Sequence, residues 1–178
     1  MRKLSMATVV TNAVLFQVGW FACVLGAANG TPWIGLVTVG AIAAWHLARA
    51  QNPASELRLL LLALLAGALF ETLLAQTGWL RFEGGLRIAG MAPVWMAALW
   101  ANFATTLNVS LRPLRQRLGL AALLGAVGAP LAYFGGSRLG ALELVEATPA
   151  LLAIGAGWLL LSPLLFMAAR RFDGYARP

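Results

Sequence analysis

The 178-residue chain is 61% hydrophobic and 11% charged, with a mean hydropathy of +0.81. A soluble domain carries about twice that charged share, so the composition excludes a soluble enzyme, a disordered chain and a large extramembrane domain. The net charge is +7, yet the cations are scattered between apolar runs instead of clustered on one basic face, which argues against nucleic acid as a partner.

About 20 apolar residues span a bilayer, and six stretches qualify: 7–28, 32–49, 57–77, 92–111, 118–135 and 149–169. They predict an all-α polytopic membrane helix bundle, one integral membrane domain over 1–178. The first stretch follows Met1-Arg2-Lys3; its apolar run is longer than a signal-peptide core and reads as a retained helix. Thr8, Thr11 and Asn12 form its polar inner end, and Gln17 projects from the opposite side near mid-depth. The second begins at Pro32, where a missing N–H costs nothing, and carries His46 one turn from its end. The third places Gly67, Ala68, Glu71, Ala75 and Gly78 along one side, and small residues mark where membrane helices approach. Next, segment 79–91 holds two short alternating pieces around Gly84-Gly85. It predicts a hairpin lid with Phe82 beside Ile88 and Glu83 beside Arg87.

The fourth stretch is the most polar, with Asn102, Thr105 and Thr106 on one face, Ser110 below them and Asn108 at the depth of His46. Along the fifth, Ala121, Gly125, Gly128, Ala132 and Gly135 or Gly136 recur in steps that keep one helix face, and Pro130 bends it. Segment 137–148 reads as a short amphipathic piece at the outer interface. In the sixth, Ala153 and Gly157 mark a packing side, and Ser162-Pro163 predicts a kink with the hydroxyl serving a freed carbonyl.

Alternate loops differ sharply in cations. One side carries Arg2, Lys3, Arg49, Arg58, Arg112, Arg115, Arg117, Arg170, Arg171 and Arg177, the other only Arg81, Arg87 and Arg138. The positive-inside rule then predicts both termini in the cytoplasm (N-in/C-in). Arg in place of Lys, with abundant Ala, Leu and Gly, resembles a GC-rich bacterial coding bias, and so points to a bacterial inner (cytoplasmic) membrane.

Ionisable groups among apolar helices are costly and mark functional candidates. Glu71 and His46 qualify, the remaining charges being assigned to helix ends and loops. At roughly 1.5 Å rise per residue they stand on the order of 15 Å apart along the membrane normal, too far for direct acid–base cooperation. Glu71 reads as a proton-accepting or cation-binding carboxylate, or equally as a hydrogen-bonded packing residue. His46, with no partner in view, reads as a packed side chain. A polar cavity lined by Gln17, Glu71, Asn102 and Thr106 is the leading ligand site. Asn12, His46 and Asn108 form a second, cytoplasmic-side polar cluster, where a lipid-modifying enzyme would hold a reactive head group. Familiar chemistry is missing: one His excludes a paired-His zinc site or two-His haem, and the lone Cys23 excludes an intrachain disulfide. Nucleophile elbow, P-loop and dinucleotide fingerprint are absent too. No metal or cofactor is expected, and no catalytic residue is assigned.

Four segments carry a family resemblance: Phe16-Gln17-x-x-Trp20-Phe21; Pro93-x-Trp95; Leu99-Trp100-x-x-Phe103-x-x-Thr106-Leu107-x-x-Ser110; and Gly125-x-x-Gly128-x-Pro130-Leu131-x-Tyr133-x-x-Gly136. Together these resemble a bacterial inner-membrane family described as domain of unknown function 2878. The resemblance runs over essentially the whole chain. It implies several membrane spans and no established activity, with a soft pointer to the membrane's own lipids. It adds Trp20, Trp100 and Ser110 to the ligand-site candidates, while His46 and Glu71 fall outside the matched segments. The expectation is a membrane protein that binds a small molecule or lipid, as an accessory or transport component. A lipid-modifying enzyme is the alternative, as is a structural subunit meeting another membrane protein, or its own copy, through Gly/Ala helix faces.

Overall fold

Six helices form where the apolar stretches predict them, in a computed structural model that describes residues 5–175. They are α1 (Met6–Ala28), α2 (Trp33–Arg49), α3 (Pro53–Gln76), α4 (Val94–Leu107), α5 (Leu118–Arg138) and α6 (Ala147–Arg171). Two short strands, β1 (Leu80–Phe82) and β2 (Leu142–Leu144), and a 3₁₀ turn at Arg112–Gln116 complete the described elements. The expected topology signals Arg2, Lys3 and Arg177 lie outside the described residues. By length and hydropathy α1, α3, α5 and α6 are able to cross a membrane, whereas α2 and α4 are shorter apolar helices. The protein is therefore a multi-pass, all-helical membrane protein.

Local chemistry sets the helix ends. α3 begins ahead of its apolar run because Asn52 caps it, accepting from Ser55 N, and Pro53 occupies the first turn. This earlier start puts Glu56 inside the helix. α4 stops at Leu107, short of the expected 111, because the next turn is diverted into other bonds. Leu111 N donates to Thr106 O, and Ser110 N donates to Asn12 Oδ1 on α1.

The hairpin expected within 79–91 does not form. β1 pairs antiparallel with β2 instead, setting Leu80 opposite Leu144, Arg81 opposite Glu143 and Phe82 opposite Leu142. Burial explains the choice: Leu80, Phe82 and Leu142 are buried, with Phe82 edge-on to Trp95, whereas Leu86 and Ile88 are exposed. Gly84 and Gly85 take φ of 56° and 87°, turning the chain away from β1 toward α4. Segment 137–148 thus supplies a strand, not an amphipathic interfacial piece.

Small residues set the helix crossings. A Cβ on Gly125 would stand 2.7 Å from Ser162 Cβ, so α5 and α6 meet backbone to backbone there. The Ser162 hydroxyl donates across that contact to Ala121 O on α5, not to a carbonyl freed in its own helix. Gly155 comes close to Ala126 O, the carbonyl that Pro130 deprives of its helical donor. The predicted stripe on α5 therefore divides. Ala121 and Gly125 face α6 of the same chain, while an added Cβ at Gly128 would meet nothing within 4 Å.

Candidate functional site

Where α1 and α5 stand apart, a cavity of about 520 Å³ opens between them, backed by α4 and α6. Phe16, Gln17 and Trp20 form one wall, Gly128, Ala132 and Tyr133 the other, and Trp100, Phe103 and Trp158 line the back. Trp100 and Trp158 lie with ring centroids 4.6 Å apart at 30°, and Phe103 meets Trp158 edge-on at 5.2 Å. The cavity rim includes Leu124 and Leu131, both exposed, so the opening faces sideways, where the acyl chains of a bilayer would lie. Volume and apolar lining match those of ligand pockets.

Glu71 sits one layer behind this lining, with no exposed surface. Trp100 Nε1 donates to its Oε1 at 2.8 Å, and the Tyr133 hydroxyl donates to the same oxygen. Oε2 has no partner, and no salt bridge reaches this carboxyl among the described residues. Gly67, one turn earlier on α3, leaves room for the Trp100 ring. Glu71 therefore anchors two aromatics of the cavity wall, one from α4 and one from α5.

Of the predicted ligand-site residues, Gln17, Trp20 and Trp100 line the cavity and Glu71 backs it. Asn102, Thr106 and Ser110 do not. Asn102 Nδ2 donates to Phe16 O at 2.9 Å, and Thr106 Oγ1 donates to Phe103 O on its own helix. Ser110 Oγ donates to Asn12 Oδ1 at 2.7 Å, while Asn12 Nδ2 donates to Thr105 O. The Asn102 and Asn12 amides stitch α1 to α4 through backbone carbonyls, the Ser110 hydroxyl ties the turn after α4 to Asn12, and Thr106 stays within its own helix. The expected polar cavity is thus an aromatic one: Asn102 and Thr106 donate to backbone carbonyls away from the open space, and Asn102 Oδ1 is buried without a partner among the described residues. Sequence reasoning missed Trp158, which lies outside the quoted family segments, and left Tyr133 unused although it stands in the family pattern.

A second centre lies at the opposite end of α3. His46 Nε2 lies 2.8 Å from Glu56 Oε2, and Asn108 Nδ2 donates to Glu56 Oε1 at 2.7 Å. The chain after α6 folds over this group. Gly174 N donates to Glu56 Oε1, and the Tyr175 hydroxyl donates to His46 O, both at 2.7 Å. Asn52 N donates to Gly174 O, and Asp173 pairs with Arg112 at 2.9 Å and Arg115 at 2.7 Å. Burial first, then the Glu56 charge, pushes the Tyr175 hydroxyl above the ordinary phenol range, with Arg49 opposing. Of the predicted cytoplasmic-side cluster, His46 and Asn108 do meet, through Glu56, but Asn12 belongs to the α1–α4 stitching. Because Glu56 was assigned to a helix end, its place beside His46 went unread; Asn52-Pro53 is the signal that relocates it. No group of three His, Cys, Asp or Glu side chains among the described residues is placed to hold a metal ion.

Residues 9–164 match the family model for a protein of unknown function, DUF2878. The chain belongs to that family. The match takes in the cavity lining except Phe166, together with Glu71, His46, Glu56 and Asn108, and it ends before Asp173 and Tyr175. No curated protein and no solved structure matches the chain.

Proposed function

We propose that this protein binds a long apolar molecule, such as one chain of a membrane lipid, in the cavity between α1 and α5. The observation that carries the reading is the sideways-open, aromatic-lined space of about 520 Å³ within a membrane-spanning bundle. Lipid-facing pockets of this kind draw their occupant from the bilayer, so no aqueous vestibule is required. The seven described cations Arg49, Arg58, Arg112, Arg115, Arg117, Arg170 and Arg171 lie at one end and Arg81, Arg87 and Arg138 at the other. That asymmetry supports cytoplasmic termini and agrees with residence in a bacterial inner membrane. The enzyme alternative draws no support from His46, which is fully buried beneath the C-terminal segment.

Native mass spectrometry of gently purified protein, with lipid analysis of what co-purifies, tests the proposal. Gly128→Phe is the decisive variant, because position 128 borders the cavity and has free space for a side chain. Wild type carries a defined apolar adduct and the filled variant loses it. An adduct that survives Gly128→Phe, or no adduct in wild type, overturns the reading.

A further inference from the structure

Six polar side chains border the cavity, and four of them are bonded within the protein or out of reach. Trp100 Nε1 and the Tyr133 hydroxyl donate to Glu71, and the Ser162 hydroxyl donates to Ala121 O. The Trp158 indole nitrogen is fully buried and presents no surface to an occupant. Gln17 and Trp20 remain, one turn apart on α1. Gln17 is exposed and its amide bonds to no described residue; Trp20 is partly buried, with its Nε1–H likewise unbonded among them.

Depth sets Gln17 apart. It stands eleven residues from either end of α1, about 16 Å at the rise of roughly 1.5 Å per residue, in a helix long and apolar enough to cross a membrane. The bilayer at its middle is hydrocarbon and offers an amide neither donor nor acceptor. The polar groups of an ordinary lipid lie in the interface, half a membrane away.

Two partners are able to answer such an amide, an occupant of the cavity or a second copy of the chain. Gln17 stands where the cavity meets the outward face of Val10, Val14 and Val18. That face adds only apolar groups, whereas the cavity side adds room and a second donor in Trp20. The amide both donates and accepts without charge, and no charged side chain lines the cavity to balance a charged group. The matching group is therefore an uncharged oxygen function carried to mid-depth.

Resting on the cavity reading above, we propose that the occupant is a long chain bearing a hydroxyl or carbonyl within its length, bonded by the Gln17 amide with the Trp20 N–H as a second donor. The protein thereby selects chains oxygenated along their length over plain ones.

Competitive native mass spectrometry of the whole protein with octadecane, 1-octadecanol and 9-octadecanol tests this. Wild type retains 9-octadecanol over each of the other two by roughly two- to tenfold, the ratio expected of one net hydrogen bond. Gln17→Leu is close in size and suits an exposed site in lipid, so octadecane retention stays unchanged while the preference narrows. Adding Trp20→Phe removes it. Equal retention of the two alcohols, or of all three probes, by wild type overturns the proposal while leaving the cavity reading intact. So does a preference that Gln17→Leu leaves undiminished or that survives the double variant. A wild-type dimer that Gln17→Leu dissolves, with no preference among the probes, overturns it by giving Gln17 to a second copy. If a variant does not fold, the wild-type ranking of the probes still decides. Retention of none of the three overturns both readings.

Discussion

Glu56 stands in the first turn of α3 with its carboxylate 2.8 Å from His46 Nε2 on α2, and neither side chain exposes any surface. Glu56 also accepts from Asn108 and from the backbone of Gly174, so a single carboxylate ties together four segments of the chain. Removing one member of such a buried group leaves the others desolvated and unpaired. Glu56→Ala is expected to destabilise the protein by about 3–5 kcal/mol. Glu56→Gln, which keeps an acceptor for Asn108 and Gly174, should lose distinctly less. Thermal unfolding in detergent, followed by helical circular dichroism, measures both.

Tyr175 gives the same region a dependence on pH. Its folded pKa is raised, so the folded chain holds the phenolic proton more tightly than the unfolded chain does. The stability this contributes is fully present below the unfolded value, near 10, and is lost as pH rises through the higher folded value. Tyr175→Phe should lower stability at neutral pH by about 1 kcal/mol, through the lost bond to His46 O. It should also flatten the alkaline decline above roughly pH 10. Unfolding midpoints across an alkaline series, wild type against variant, show whether it does.

Glu71 is expected to matter through the two aromatics that it anchors. Glu71→Leu orphans the Trp100 N–H and the Tyr133 hydroxyl, at about 1–3 kcal/mol for each group left unsatisfied. Glu71→Gln keeps an oxygen in place and should cost much less. Intrinsic tryptophan emission should shift in the Leu variant and stay near wild type in the Gln variant. Equal behaviour of the two would contradict the anchoring role.

Glycines on the two sides of the cavity should respond oppositely. A side chain at Gly67 runs into the Trp100 ring, so Gly67→Val should cost about 1–3 kcal/mol by overpacking. Gly128 faces open space, and Gly128→Ala should be neutral or stabilising by up to about 1 kcal/mol, since Ala favours a helix. Melting temperatures of the pair settle the sign at each position.

The strand pairing lends itself to cross-linking. Arg81 and Glu143 are directly opposite and exposed, and opposed antiparallel positions fall within the Cα spacing of about 4.4–6.8 Å that a disulfide accepts. Arg81→Cys with Glu143→Cys should close an intramolecular disulfide under mild oxidation, detected as a reduction-sensitive mass change. Cys23 is buried and free, and it should take no part. A hairpin folded within 79–91 would give no such product.

The helices were legible in the sequence because apolar length is a one-dimensional property, and each predicted stretch contains most of a real helix. The strands were not: three-residue pieces gain a partner only through packing against Trp95 and its surroundings, and that partner lies some sixty residues away. At the candidate site, Gln17, Trp20, Trp100 and Glu71 were readable as polar or aromatic exceptions in apolar helices. Asn102, Thr106 and Ser110 misled because a polar side chain in a membrane helix has two ways to be satisfied, a cavity or a carbonyl, and spacing does not distinguish them. Glu56 was hidden by its position near a helix start, where acids are ordinarily explained by the helix dipole.

α4 is the shortest of the six helices, and all of it but Val94, Leu99 and Phe103 is buried. At roughly 1.5 Å per residue its 14 residues reach about 21 Å, less than the hydrocarbon thickness of about 30 Å. A segment this short, with Asn102, Thr105 and Thr106 on it, has little reason to enter a bilayer alone. Its residence at depth is conferred by α1, α2 and α3, which cover most of its surface and, through Phe16 O and Glu71, take up the Asn102 amide and the Trp100 N–H. α6 closes over the Trp100 and Phe103 rings through Trp158. For α4, insertion and tertiary assembly are therefore a single event, and the later synthesis of α6 is what completes the membrane home of a helix made long before it.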